Sequence, residues 1–160
     1  MSSFRLVGLS ADNFTPFFAM SDAELAELGA QRVRADESPG FPCRISLVDA
    51  EVGEELLLLP FEHLSARTPY RASGPVFVRA GARRAVLEPG VVPPVVTRRL
   101  MSVRAYDAGN SMIAAEVCEG TDVQATLERL MGDGAVSFIH LHNAKRGCFS
   151  CRVERVAAIL

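Results

Sequence analysis

The segment 138–151 concentrates the side chains that could do chemistry, since it holds two of the chain's three histidines and two of its four cysteines. His140 and His142 stand two residues apart in a sequence typical of a strand, where alternate side chains project from the same face. Their rings are therefore expected to point together, with Ile139 and Leu141 turned toward the core. Paired imidazoles can exchange protons, hold a metal ion or bind a polar ligand.

A metal site is one interpretation of this segment. Histidine nitrogen and cysteine sulfur are common zinc ligands, and His140 and His142 could supply two ligands to zinc or iron. Cys148 and Cys151 stand three residues apart, which on a strand places their thiols on opposite faces and keeps them from sharing an ion. Zinc on His140 and His142 is therefore kept as an alternative, and the main expectation is that the protein has no cofactor.

A redox pair formed by Cys148 and Cys151 is a second interpretation. Reactive pairs are usually activated at the N-terminus of a helix, whereas the sequence after Cys151 alternates as in a strand. A disulfide across three strand positions would also be strained. Cys148 is still a candidate for a single reactive thiol, because it follows the cations Lys145 and Arg146.

A polar pocket without a metal is the third interpretation and the favoured one. The histidines and the turn after them would bind a small, anionic molecule. Arginines from other strands would complete the site, because guanidinium groups form paired hydrogen bonds with carboxylates and phosphates. Each arginine could instead pair with an acidic residue such as Asp49, Glu54 or Asp107. The candidate ligand-binding residues are His140, His142, Asn143, Arg44, Arg71, Arg104 and Cys148.

The sequence names no catalytic residue. It contains no Walker loop, dinucleotide-binding glycine pattern, nucleophile elbow or paired carboxylates. Whether the protein is an enzyme is therefore left open. The main alternative to a small-molecule binding protein is a non-enzymatic structural or interaction protein, and a zinc- or iron-dependent metalloprotein comes third.

Hydrophobic periodicity predicts the elements that would position these residues. Helical structure is predicted over 14–28, either as one helix or as two if the capping pattern at Ser21 and Glu24 starts a second, and over Asp122–Met131. Together the elements predict one α+β domain over residues 1–160, with two or three helices on a strongly curved or barrel-like, mostly antiparallel sheet of about eight strands. The predicted strands include Phe4–Leu9, Gln31–Ala35, Leu56–Phe61, Pro75–Arg79, Leu100–Tyr106, Met112–Cys118, Val136–His142 and Cys148–Ile159, with a further one beginning at Cys43.

Composition and charge narrow the class of protein. The chain has 160 residues, 49% of them hydrophobic, and a formal net charge of −2, so neither disorder nor attraction to nucleic acid is expected. It begins with no secretory pattern and has no apolar run of bilayer length. We therefore expect a soluble, cytoplasmic protein with free thiols and no membrane partner; nothing indicates its oligomeric state.

Arginine supplies nearly all of the positive charge, since Lys145 is the only lysine. The codon bias of a GC-rich genome is the simplest explanation. Arg83, Arg84, Arg98 and Arg99 lie in loop-like sequence and are predicted to have no part in a site.

Several blocks of the sequence resemble a bacterial protein family. The blocks are Pro42–Ala50, Gly53–Glu54, Pro69–Val78, Ser102–Asp107 and His140–Phe149. They extend over essentially the whole chain, which is similar to the domain-of-unknown-function family twelve-oh-three (DUF1203). The resemblance implies a small, soluble, single-domain bacterial protein without an assigned activity, substrate or catalytic residue, so no residue's role is carried over.

Overall fold

The fold consists of two five-stranded sheets and four α-helices, seen in a computed structural model that describes residues 3–157. Sheet I has the strand order β1-β10-β9-β7-β8 and is antiparallel throughout. Its strands are β1 Phe4–Val7, β7 Leu100–Tyr106, β8 Met112–Glu119, β9 Phe138–Asn143 and β10 Phe149–Arg155.

Sheet II is built from the earlier part of the chain and has the order β2-β5-β6-β3-β4. The ten-residue strand β5 lies between β2 and β6, and the short strand β3 pairs with β6 in parallel. Its strands are β2 Gln31–Arg34, β3 Pro42–Cys43, β4 Val48–Asp49, β5 Glu55–Leu64 and β6 Ala72–Arg79.

The helices are short and lie between the strands. The predicted helical segment 14–28 forms two helices, because Ser21 and Glu24 form a capping box that starts the second. None of the helices described in residues 3–157 is long and apolar enough to cross a membrane. The four helices are α1 Thr15–Phe18, α2 Asp22–Glu27, α3 Pro94–Thr97 and α4 Val123–Met131.

The side chains of strand β9 alternate between an apolar face of sheet I and a face that carries two histidines. Ile139 and Leu141 are fully buried in a core cluster that includes Leu127 of α4, which confirms the predicted inward face. His140 and His142 project from the opposite face because side chains alternate along a strand. That second face is also buried, since both histidines are only 1% exposed.

The first residue of β10 joins the two sheets. Phe149 is buried in a second apolar cluster with Leu57 and Leu59 of β5 and Val76 of β6. Sheet II therefore packs against the histidine-bearing side of sheet I.

The mixed α+β class is confirmed, whereas the single, barrel-like sheet of about eight strands is wrong. Residues 3–157 form two sheets with ten strands in all, four helices and no closed barrel. The physical reason is that β5 finds its partners in β2 and β6, so sheet II forms its own hydrogen-bonded ladder. The predicted strand Cys148–Ile159 is observed as Phe149–Arg155, and its predicted last residues, 158–159, lie outside the described residues.

Candidate functional site

A cavity of about 570 Å³ lies where one side of sheet II meets three connecting segments that carry cations. Apolar side chains from β2, β5 and β6 form one part of its lining, and five basic side chains form another. We call this cavity the cationic pocket. Its basic residues are Arg44, Arg98, Arg99, Lys145 and Arg146.

Arg44 is the buried cation of the pocket. It lies in the turn between β3 and β4 and is only 2% exposed. Its Nε donates to the carbonyl of Phe149 at 2.8 Å and its Nη1 to the carbonyl of Pro42 at 2.6 Å. Among the described residues it forms no ion pair with a carboxylate. Burial lowers the pKa of Arg44, and the neighbouring Cys148 opposes that shift.

Cys148 lines the pocket beside this guanidinium. Its Sγ accepts a hydrogen bond from Nη2 of Arg44 at 3.2 Å and another from Nδ2 of Asn143 at 3.5 Å. The sulfur of Cys148 therefore has two hydrogen-bond donors, one of them the charged guanidinium of Arg44.

Cys151 lies within β10, whereas Cys148 precedes the strand, and a β-bulge falls between Phe149 and Cys151. Cys151 is 1% exposed within the core cluster of sheet I, and burial raises the pKa of its thiol to about 12. Cys148 therefore lies in the cationic pocket and Cys151 in the apolar core of sheet I. This separation gives no support to a redox pair between them.

Arg98 and Arg99 enter the pocket from the junction of α3 and β7 and are anchored by one buried carboxylate. Asp49 of β4 is bound by Arg98 Nη1 at 3.1 Å and by Arg99 Nη2 at 2.7 Å. Arg99 also donates to the carbonyl of Val95 in α3. The prediction that these loop arginines have no part in a site missed this arrangement. The signal that could have revealed it is Asp49, an acidic residue within a buried apolar segment that needs cationic partners.

The balance of charge around the pocket is strongly positive. Lys145 and Arg146 are exposed on the turn between β9 and β10 and add to the three arginines. The nearby carboxylates are Asp49, which Arg98 and Arg99 share, and Glu37 in the lining. Clefts with one dominant sign of charge concentrate ions of the opposite sign.

All three histidines of the chain meet between the sheets, in a separate cluster that we call the histidine cluster. The ring of His63, from β5, lies 4.9 Å from that of His142 and 5.9 Å from that of His140, measured between centroids. The ring of Phe149 stacks on His63 at 5.2 Å. The sequence did not single out His63, because nothing in one strand's pattern shows which strand of another sheet it will face.

The histidine cluster is held neutral by its surroundings. Burial lowers the pKa of His140 to about 3 and that of His142 to about 4, and the charge of Arg104 on β7 contributes to both shifts. The Nδ1–H of His142 donates to the carbonyl of Gly147 at 2.9 Å. Nδ1 of His63, Nδ1 of His140 and Nε2 of His142 are buried without a hydrogen-bond partner among the described residues.

The three histidines are the residues that could be considered for a metal. Within residues 3–157, no group of three or more His, Cys, Asp or Glu side chains is arranged to hold a metal ion.

A comparison with known families matches the model described as Protein of unknown function (DUF1203) over residues 40–155. The chain belongs to this family. No curated protein and no solved structure matches the chain. The matched DUF1203 region contains all five cations of the pocket, Cys148 and the three histidines.

Within this DUF1203 chain, the seven candidate residues occupy three places. Arg44, Asn143 and Cys148 line the cationic pocket. His140 and His142 lie in the histidine cluster, where Arg104 is the neighbour of His140 across β7 and β9. Arg71 is exposed and pairs with Glu62 at 3.2 Å. The structure thus brings Arg44, Asn143 and Cys148 together and places the other four candidate residues elsewhere.

Proposed function

We propose that the protein binds a small anionic molecule in the cationic pocket. The observation that carries the proposal is the lining of one cavity by five basic side chains, against the two carboxylates of Asp49 and Glu37. A cavity of about 570 Å³ is within the size range of small-molecule sites, roughly 300–1,000 Å³.

The basic residues are suited to different tasks. Arg44 is fixed by two carbonyls and a thiol, so its charge is preorganised. Arg98 uses only Nη1 on Asp49, and the remaining N–H groups of its guanidinium have no partner among the described residues. Lys145 and Arg146 are exposed and free to close on a ligand. One buried, fixed cation and several exposed ones together support capture of a carboxylate or phosphate group.

The native thiol of Cys148 reports the charge of the pocket without a known ligand. Iodoacetate and iodoacetamide alkylate the same sulfur, but only iodoacetate is an anion. The ratio of their rate constants at Cys148 should fall by roughly threefold in Lys145→Gln/Arg146→Gln, because two charges several ångströms away are lost. Peptide mass spectrometry gives the rate at each cysteine.

A matched double variant controls for overall charge. Arg67→Gln/Arg83→Gln removes two exposed cations that do not line the pocket, and it should leave the ratio at Cys148 unchanged. An equal fall in both double variants would show only a general effect of net charge and would overturn the proposal.

The histidine cluster is outside this proposed binding site. Its rings are buried among Tyr106, Phe138 and Phe149, and this packing supports a structural role. A zinc ion on His140 and His142 is disfavoured by the positive charge of Arg104, which already acts on both rings.

We also propose that the protein is cytoplasmic. All four cysteines are unpaired thiols, which is the usual state in a reducing compartment.

A further inference from the structure

We infer that the ligand is an amphipathic anion, with an acidic head and an apolar, planar or aliphatic body. This inference rests on the proposed function, because it specifies the class of anion that the cationic pocket takes. It comes from the apolar part of the lining, which anion binding alone does not explain.

The apolar part of the pocket is the outer side of sheet II. Leu58 of β5 and Phe77 of β6 are cross-strand partners, so their side chains share one face. Val33 of β2 lies on the same side of the sheet, and the ring of Phe41 packs against that of Phe77 at 5.2 Å between centroids. All four side chains are half-buried rather than buried, so they leave apolar surface at the cavity.

The apolar and the cationic parts of the lining come from different segments. Sheet II and the residues just before β3 supply most of the former, whereas the α3–β7 junction and the β9–β10 turn supply most of the cations. They meet at Arg44, whose Cζ lies 6.0 Å from the centroid of the Phe77 ring. A ligand that fills the cavity must therefore present charge to one part and apolar surface to the other.

The size of the cavity also favours a ligand with an apolar body. A simple inorganic anion would occupy only a small part of about 570 Å³ and leave water against Phe77 and Leu58. Covering that apolar surface with an apolar body releases the water and adds to affinity in proportion to the area covered, ~25 cal/mol per Å².

Three small probes separate charge from apolar surface. They are acetate, an anion with almost no body; 2-naphthoate, an anion with an aromatic body; and 2-naphthalenemethanol, the same body without charge. Each is added to the full-length protein, and the concentration that halves the alkylation rate of Cys148 by neutral iodoacetamide is measured at constant ionic strength. We expect 2-naphthoate to protect at a concentration at least tenfold below that of either other probe.

The outcomes distinguish this inference from the proposed function. Equal protection by acetate and 2-naphthoate would leave anion binding standing and overturn the amphipathic class. Protection by the alcohol as strong as that by 2-naphthoate would overturn anion recognition itself. No protection by any probe would contradict both.

A variant pair checks that the apolar part of the pocket is responsible. Leu58→Asn should weaken protection by 2-naphthoate several-fold and leave protection by acetate unchanged. Ile113→Asn, at a residue of β8 that is 43% exposed and outside the pocket, is the control and should change neither. Equal protection of Cys148 by 2-naphthoate in wild type and in folded Leu58→Asn would contradict the inference. The probe series on the unmodified chain remains decisive if Leu58→Asn does not fold.

Discussion

Arg44 shows how one residue can serve both the fold and the site. Its guanidinium ties the turn after β3 to β10 through the carbonyl of Phe149, and to the pocket through Sγ of Cys148. A buried charge without a carboxylate partner is tolerated only where several dipoles or polar atoms compensate it. Arg44 therefore holds the thiol and the pocket in place while contributing positive charge to the cavity.

Replacing Arg44 by lysine tests this account. A compact ammonium cannot reach two carbonyls and a sulfur with the geometry of a planar guanidinium, so Arg44→Lys should lower the free energy of unfolding by about 1–3 kcal/mol. Urea denaturation measures the change. Arg34→Lys is the control, because Arg34 is exposed and makes one surface bond to the carbonyl of Gly53; it should stay within about 0.5 kcal/mol of wild type. A loss no larger than that of the control would contradict the role of Arg44.

At the residue scale, sequence reasoning found part of the pocket. Arg44, Asn143 and Cys148 were recognisable because they stand beside strand patterns or in a polar turn. Arg98 and Arg99 were missed because a loop arginine shows no partner until Asp49, about fifty residues away, is folded against it. His63 was missed for the same reason, since its neighbours come from another sheet.

The turn between β9 and β10 is the element on which the pocket and the histidine cluster both depend. It carries Lys145 and Arg146 into the cavity, and its Gly147 carbonyl accepts the hydrogen bond from His142. Gly147 has φ 82°, a left-handed conformation that side chains disfavour. The glycine thus allows the chain to reverse tightly between two buried strands.

Substitution of Gly147 isolates that conformational requirement. A Cβ at Gly147 would meet no atom within 4 Å, so Gly147→Ala should destabilise the protein by ~1–2 kcal/mol through backbone strain alone. Gly134 is equally unobstructed but does not have a positive φ, so Gly134→Ala should be neutral or slightly stabilising. Equal unfolding midpoints for the two variants in urea would refute the requirement.

At the element scale, the local sequence pattern predicts where strands lie and which way their side chains face, but it does not predict which strands pair. β7 was predicted as Leu100–Tyr106 and is observed there, and the face alternation of β9 is as expected. The division into two sheets was not predictable, because strand partners are set by contacts between distant segments. The strand predicted to begin at Cys43 is wrong in its extent, because residues 44–47 form a turn between the two-residue strands β3 and β4.

The whole molecule is two sheets with a neutral histidine cluster between them. Unfolded histidines take up a proton near pH 6.5, whereas His140 and His142 resist protonation to about pH 3 and 4 in the folded chain. As pH falls below 6.5, the unfolded state therefore binds more protons than the folded state, which lowers the free energy of the unfolded state relative to the folded one. The stability that the neutral cluster contributes is complete above pH 6.5 and is lost as the pH falls toward 3.

Acid sensitivity should consequently appear at mildly acidic pH. Between pH 7.5 and 5, the free energy of unfolding should fall with a limiting slope on the order of 1 kcal/mol per pH unit for each buried histidine. His140→Phe keeps an aromatic ring among Tyr106, Phe138 and Phe149 but cannot titrate. The free energy of unfolding of this variant should therefore fall less steeply with pH, by about the contribution of one buried histidine. An unchanged slope in a folded His140→Phe protein would show that His140 does not produce the effect.

The claim that the cationic pocket attracts anions is tested most directly within one sample of the unmodified protein. Cys118 of β8 is half-exposed, as Cys148 is, and its neighbouring cation Arg129 is paired with Glu116. The measurement is the iodoacetate-to-iodoacetamide rate ratio at each of the two thiols at low salt. We predict a ratio at Cys148 at least about threefold above that at Cys118, converging as added salt screens the charges. A ratio at Cys148 equal to or below that at Cys118 would contradict an anion-binding pocket.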